Sequence, residues 1–455
     1  MGSATRARLD RFVGWVCRLL LGVFFRRIAV VGQERIPARG PFVVVANHVN
    51  GLLDPMFVFG PLGIPARTLG KSTLWRSPLL GGLATLAGAI PVYRRGDPGV
   101  DPARNVEAFA AAHEVLGRGG AVAVFPEGTS HDDPSLKPLK TGAARIAIGA
   151  ELERGPLGVV ILPVGLLFEE RSKFRSKAVV AVGEPLDPSA EVERSRRGEK
   201  EAIAAARALT ERITAALDTV TINYSSWEEA RRIELGADVL ARTRGGDGAL
   251  RWQDELVLRR DMARALPALR AEHPAAVAAA VAAVAAYERR LAAVGVDDAA
   301  VAVPLAARFA VAFFLRTLVR LALLSPVAVV GTLLNVVPWT VVDQISRRVR
   351  EENQVATYTL FPGLVLYPAA WAAEAWAVAR WSGVEAGVAA AVLAPLAGWV
   401  ALRWHERRRS LWRGTRAFLK LRRRRVVDEL ATARARVVET IGALVSAYST
   451  SSRRS

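Results

Sequence analysis

His48 and Asp54 stand six positions apart, just past the end of the apolar run Phe42 to Ala46, with Asn47, Gly51 and Pro55 around them. A histidine delivered by a strand end with a carboxylate in reach is the pairing used for general-base chemistry. If Asp54 takes the proton side of one ring nitrogen, the other is held as an acceptor that can deprotonate an alcohol. That is half of an acyl-transfer site. The same residues also suit a satisfied loop histidine beside an aspartate N-cap with proline at the first helical position.

Three further stretches place polar groups at expected strand ends. Gly88 to Arg95, GAIPVYRR, is a glycine turn and a short strand that deliver Arg94, whose guanidinium can bind phosphate bidentately. Phe125 to Ser130, FPEGTS, follows the run AVAV and sets Glu127, Gly128 and Thr129 on a tight turn. Glu127 could accept from a substrate hydroxyl or an arginine, Gly128 permits close backbone approach, and Thr129 offers a hydroxyl and an amide. Lys137 to Gly142, including Lys140, opens a helix at about Ala143 and adds cationic and amide donors for a phosphate. Leu162 to Gly165, LPVG, is expected to line an apolar acyl channel around Pro163, although a plain strand and turn fits it equally well.

The elements that must hold these residues are short β-branched runs alternating with helical stretches and Gly/Pro turns from Ile28 to about Asp187, the pattern of an α/β domain with a largely buried sheet. Strands are expected at Phe42 to Ala46, Ala121 to Phe125, Val159 to Val164 and Ala178 to Val182, with a helix over Asp101 to Gly117 whose His113 is expected at the surface. Open α/β sheets bind ligands beyond the carboxyl ends of their strands, where His48 falls.

The 455 residues exceed one ordinary core, so additional helical material is expected. A net charge of +19 beside 51% hydrophobic residues suits a membrane carrying anionic lipid. No zinc spacing, recognition helix or aromatic RNA-binding signature points to nucleic acid instead. Cys17 is the only cysteine, which excludes an intrachain disulfide and a metal-thiolate cluster and fits a reducing, cytoplasmic setting; no metal site is expected.

Residues 1–30 read as an interfacial amphipathic helix, with a helix packed on the domain surface as the equal alternative; Arg18 and the lack of an Ala-x-Ala site argue against a signal peptide. Residues 191–302 read as an α-helical region. Three hydrophobic runs follow within 303–402. Phe309 to Val342 is expected to form a kinked or re-entrant pair, and Tyr358 to Ala379 with Val384 to Leu402 a hairpin. Arg347 to Arg350 and the dense basic run Arg403 to Arg425 then flank the hairpin on the cytoplasmic side. Residues 403–455 form a basic cytoplasmic tail, with a surface helix to Ala447 and disorder from Ser449 to Ser455.

Together NHVNGLLDP, GAIPVYRR, FPEGTS and LPVG, in this order and spacing, resemble the four sequence blocks of the glycerolipid acyltransferase family, which includes glycerol-3-phosphate and 1-acylglycerol-3-phosphate acyltransferases. The resemblance covers residues 31–190 and implies an α/β acyltransferase domain with a mixed sheet and flanking helices, followed by helical and membrane segments. Carried onto this sequence, it makes His48 and Asp54 catalytic, assigns Asn47, Arg94, Glu127, Gly128, Thr129 and Lys140 to substrate binding and matches Pro163 to the fourth block. One departure is clear: five residues, Val49 to Leu53, separate His48 from Asp54 where four are usual. That form resembles the branch of fungal-type glycerol-3-phosphate and dihydroxyacetone phosphate acyltransferases. The implied partners are acyl-CoA or acyl carrier protein as co-substrate with no cofactor, a glycerophosphate acceptor and an anionic phospholipid membrane. The implied location is a bacterial inner membrane with the catalytic domain facing the cytoplasm. A lysophosphatidic acid acceptor, or a non-catalytic lipid-binding scaffold, remains the alternative.

Overall fold

A computed structural model of the chain describes residues 3–38, 40–94, 97, 101–244, 252–302 and 307–451; Arg95 and residues 452–455 of the expected disordered tail lie outside them. The chain divides into two compact units, the first comprising residues 1–225 with 351–357 and the second 226–350 with 358–455.

The first unit begins with α1 (Ser3–Phe24) and β1 (Arg27–Val31), then β2 (Phe42–Ala46), α2 (Leu53–Phe59), β3 (Arg67–Lys71), α3 (Pro78–Ala87) and β4 (Ile90–Val92). It continues with α4 (Asn105–Gly117), β5 (Ala121–Val124), α5 (Gly142–Arg154), β6 (Val160–Phe168), β7 (Lys177–Val182), α6 (Ser189–Ser195) and α7 (Glu199–Val220). The strands form one seven-stranded mixed sheet in the order β1-β7-β6-β2-β5-β3-β4. Central β2 runs parallel to both neighbours, with Val45 opposite Pro163 of β6 and Val124 of β5, whereas β7 is antiparallel to β6. A run of Val43, Val44, Val45 and Ala46 suits this position because successive side chains point to opposite faces of the sheet and none of the four is more than 1% exposed. The carboxyl ends of β2, β3, β4 and β5 therefore lie along one edge, as α/β architecture requires of a site built from strand-end loops.

Four strands fall where expected to within four residues. LPVG does not end in a turn: β6 continues to Phe168, and Gly165 lies mid-strand because a Cβ there would sit 1.9 Å from the Val220 carbonyl oxygen at the end of α7. His113 is buried, not at the surface. A Cβ on Gly149 would lie 2.6 Å from its ring, so this glycine of α5 makes room for the imidazole, and Nδ1 meets Glu153 at 2.8 Å.

Helix α1 packs on the domain along one face, as the second reading of the N-terminal segment expects, and leaves an apolar stripe on the other. Val13, Cys17, Leu21 and Phe24 pack onto the domain at helical spacing, while Phe12, Trp15, Leu19 and Val23 remain exposed.

The second unit contains α8 (Trp227–Arg244), α9 (Trp252–Glu272), α10 (Pro274–Val294), α11 (Asp298–Ala302), α12 (Ala307–Arg347), most of α13 (Glu352–Ser382), α14 (Val384–Lys420) and α15 (Arg424–Ser451). Helix α15 is an amphipathic helix that packs one face into this unit. Leu430, Ala433, Val437, Ile441 and Leu444 recur every three or four residues and are buried in one core with Val239, Val284 and Tyr287. Inside that bundle Asp298 accepts from Tyr287, Arg242 and Arg434, which keeps a buried carboxylate matched. This burial and the Asp298 bond hold the Tyr287 phenol above its ordinary range.

The stretch expected as a kinked or re-entrant pair is a single continuous helix, α12, with Pro326 and Pro338 inside it. It packs on α14 where Gly331 lets the backbones approach: a Cβ there would lie 2.1 Å from the Ala397 carbonyl oxygen. The expected hairpin of α13 and α14 touches near its turn, where an added Cβ on Gly387 would lie 2.5 Å from Ala379, but α14 packs along α12 and not along α13. Among the described residues two helical stretches, Phe314–Arg347 and Val384–Lys420, are long and apolar enough to cross a membrane.

Candidate active site

The site is built around the break after β2. Beyond Ala46, Asn47 keeps β2 tied to β6 through its side chain: Nδ2 donates to the Leu166 carbonyl at 3.1 Å and Oδ1 accepts from the Leu166 amide at 2.7 Å. Its carboxamide, expected to meet substrate, is thus engaged by the sheet. The chain then turns, and His48 leaves the strand end with its ring stacked on Phe125 at a centroid distance of 4.5 Å.

His48 Nδ1 lies 2.9 Å from Asp54 Oδ2, an oxygen that also accepts the Asn50 amide at 2.8 Å. The Asp54 side chain is fully buried and that of His48 is 15% exposed. Asp54 belongs to the first turn of α2, after Leu52 as the capping residue, so the N-cap reading of Asp54 does not hold. A carboxylate at a helix N-terminus is favourably placed. The helix itself is fixed by Phe57, which packs against Phe25 and Phe168 at ring-centroid distances of 5.4 and 5.6 Å. With Asp54 beside Nδ1, that nitrogen carries the proton and Nε2 is the acceptor; no bond to Nε2 is found among the described residues.

Glu127 stands beneath the histidine, not in front of it. Oε1 accepts the His48 backbone amide at 2.7 Å, and Oε2 accepts the Lys137 amide at 2.9 Å and the Nε2 proton of His131. The His131 tautomer follows from its other nitrogen, which accepts from the Asp133 amide at 3.2 Å. Both Glu127 and His131 are buried. Glu127 therefore fixes the His48 backbone and ties the FPEGTS turn to the chain beyond it, instead of presenting a free acceptor. His131 was missed in the sequence, where its position four residues after the motif glutamate was the available signal.

Gly128 has φ +74°, and a Cβ on it would lie 2.5 Å from Lys140 Nζ, so the turn brings the Lys140 ammonium against the motif backbone. Thr129 is exposed, and its hydroxyl donates to the Ser130 carbonyl at 3.1 Å. Arg94 follows β4 at the sheet edge, three strands from β2, roughly 14 Å at an inter-strand spacing of about 4.8 Å. Burial lowers its pKa, opposed by the charge of nearby Asp97. Lys71, at the end of β3, pairs with Asp97 at 2.9 Å and is a second cation there that the sequence did not reveal. Pro163 is buried within β6, beside Val45 and against Gly183.

The arrangement brings His48, Asp54, Glu127, Gly128, Thr129 and Lys140 to the ends of adjacent strands and sets Arg94 along the same edge. It supplies an oriented imidazole acceptor, with Lys140 against the Gly128 turn and Arg94 farther along the same edge as cations suited to an anionic substrate.

A family model described as Acyltransferase matches residues 27–167. Glycerol-3-phosphate O-acyltransferase 2 of Saccharomyces cerevisiae is 45% identical over 82 residues, covering 18% of this chain and 11% of that protein. Glycerol-3-phosphate O-acyltransferase 1 of the same yeast is 25% identical over 311 residues, covering 50% of this chain and 41% of the relative. A chloroplastic 1-acyl-sn-glycerol-3-phosphate acyltransferase of Arabidopsis thaliana is 29% identical over 144 residues, covering 31% and 36%. The chain spans less than half the length of each of these relatives. Among solved structures, the 1-acyl-sn-glycerophosphate (LPA) acyltransferase PlsC from Thermotoga maritima aligns at 24% identity over 47% of this chain and 83% of that one, with a TM-score of 0.34. Residues 27–167, within the first unit, thus form an acyltransferase-family domain similar to these glycerolipid acyltransferases.

Proposed function

We propose that this protein is a membrane-associated O-acyltransferase that moves a fatty acyl group from acyl-CoA or acyl carrier protein to the hydroxyl of glycerol-3-phosphate or a related glycerophosphate. The observation that carries the reading is the 2.9 Å pairing of His48 Nδ1 with buried Asp54 at the carboxyl end of β2. It is supported by relatives named for both glycerol-3-phosphate and 1-acylglycerol-3-phosphate acylation.

In this mechanism His48 Nε2 takes the proton of the acceptor hydroxyl as its oxygen bonds to the thioester carbonyl carbon. The tetrahedral adduct collapses with cleavage of the carbon–sulfur bond, and the imidazolium returns its proton to the leaving thiolate. Asp54 keeps the imidazole in the required tautomer and stabilises its charged form. Glu127 holds the His48 backbone while Lys140, Arg94 and Thr129 receive the acceptor's phosphate. Arg94 suits this because an anion would offset the partial desolvation of its guanidinium. No cofactor takes part.

The two long apolar helices and the basic C-terminal half of the second support attachment to an anionic membrane, with the catalytic unit on its cytoplasmic face. A bacterial inner membrane is the location proposed.

The test is acyl transfer by the detergent-purified full chain, with labelled acyl-CoA or acyl carrier protein and, separately, glycerol-3-phosphate, dihydroxyacetone phosphate and lysophosphatidic acid. Ester formed on glycerol-3-phosphate or dihydroxyacetone phosphate is the expected result. Ester formed on lysophosphatidic acid alone would move the assignment to the second acylation step. No ester with any combination would reject the reading.

A further inference from the structure

The segment 351–357 lies far along the chain from both motifs, yet it contacts each of them within the first unit. Asp132, just past FPEGTS, receives its first amides: Oδ2 accepts from Glu352 N at 3.0 Å and Oδ1 from Asn353 N at 2.7 Å. An aspartate that accepts two amides at the start of a helix fixes that helix end. Asn353 and Thr357 are four residues apart and so share a face of the helix. Asn353 Oδ1 accepts from Ser130 Oγ at 3.2 Å, and Thr357 Oγ1 accepts from the Leu52 amide at 3.2 Å. Asn353 is 3% exposed and Ala356 is fully buried.

The second contact falls on the five-residue spacer between His48 and Asp54. Gly51 there has φ +52°, and an added Cβ would lie 2.9 Å from Thr357 Oγ1 and 3.1 Å from the Asn353 carbonyl oxygen. Only a glycine permits both that backbone and that approach. The turn after β6 closes the assembly: the Arg171 carbonyl accepts from Asn50 Nδ2 at 3.0 Å, and the Arg171 guanidinium pairs with Asp132 at 3.1 Å and Glu352 at 3.3 Å.

We propose that residues 351–357 are a positioning strap for the catalytic loop, with Thr357 and Asn353 fixing the Asn50–Leu52 backbone and thereby the His48–Asp54 geometry. Neither residue touches the reacting atoms, and the role in turnover rests on the acyltransferase reading above. The lengthened spacer is, on this account, the landing site of the strap. A small displacement of a catalytic group is costly because reaction requires near-attack geometry.

The experiment compares the full chain with Thr357→Val, which keeps the branched shape and removes the acceptor, and with Thr357→Ser, which restores it. Hydrogen exchange of amides 48–56 is read beside kcat and KM, with strand 160–168 as the stability control. In Thr357→Val the loop amides exchange about 3- to 10-fold faster, while the control strand is unchanged. In the same variant kcat falls about 10- to 100-fold at constant KM, and Thr357→Ser recovers both. Unchanged loop exchange in Thr357→Val overturns the strap whatever the activity. Faster exchange with unchanged kcat overturns the positioning role. Faster exchange in a chain whose wild type shows no acyl transfer upholds the strap and counts against the acyltransferase reading instead.

Discussion

The Glu127 carboxylate accepts the backbone amide of His48 at 2.7 Å, so the acid of the FPEGTS turn acts on the histidine of the preceding motif and not on solvent. Its second oxygen receives Lys137 N and His131 Nε2. A glutamine here keeps the shape but offers one acceptor oxygen and turns an NH2 toward a donor. Glu127→Gln should therefore lose about 1–3 kcal/mol of stability. It should also lower kcat more than it raises KM, read from thermal unfolding and steady-state kinetics of the same preparation.

Asp54→Asn tests the tautomer. The amide can donate to His48 Nδ1, which would place the ring proton on Nε2 and remove the base. A fall in kcat of about 10²- to 10⁴-fold is expected. Acyl transfer by a folded Asp54→Asn protein within a few-fold of wild type would dismiss the pair.

Arg94→Ala should raise KM for the phosphorylated acceptor about 10- to 100-fold, the value of one charge-assisted contact. KM for the thioester should not change. Arg94→Lys should recover only part of the loss, since a point charge cannot reproduce a bidentate contact. An equal rise in both KM values would assign Arg94 to general folding.

Cys17 sits on the packed face of α1, and burial pushes its thiol up to about 11. At neutral pH it is a neutral thiol out of solvent and therefore a poor nucleophile. Because it is the only cysteine, a maleimide should modify the folded protein far more slowly than the denatured one. Rapid labelling of the native chain would show that α1 is not packed as described.

What was legible in the sequence was local. The β2 run of β-branched residues, the histidine that ends it and the glycine of the FPEGTS turn announce themselves by type and spacing. What was not legible depends on partners distant in sequence. Asn47 read as a substrate contact because nothing near it indicates Leu166, 119 positions away, which takes both ends of its amide. Glu127 read as an open acceptor for the same reason, its partner His48 lying 79 positions earlier. β3, Arg67–Lys71, carries no alternation of apolar residues and was passed over, and Lys71 with it. In α12, Pro326 and Pro338 suggested breaks, yet each removes only one backbone donor and a long apolar helix can continue through them. Residues 351–357 gave no local sign at all, because their role exists only in contact with loops some 220 to 305 positions away.

The most direct measurement of the central claim is the rate of thioester consumption coupled to ester formation on the preferred phosphorylated acceptor, in wild type and in His48→Ala of matched folding. The account predicts acceptor-dependent release of the thiol in wild type and a loss of about 10²- to 10⁴-fold in the variant. Equal acyl transfer by the two proteins would contradict it, for His48 would then not be the base.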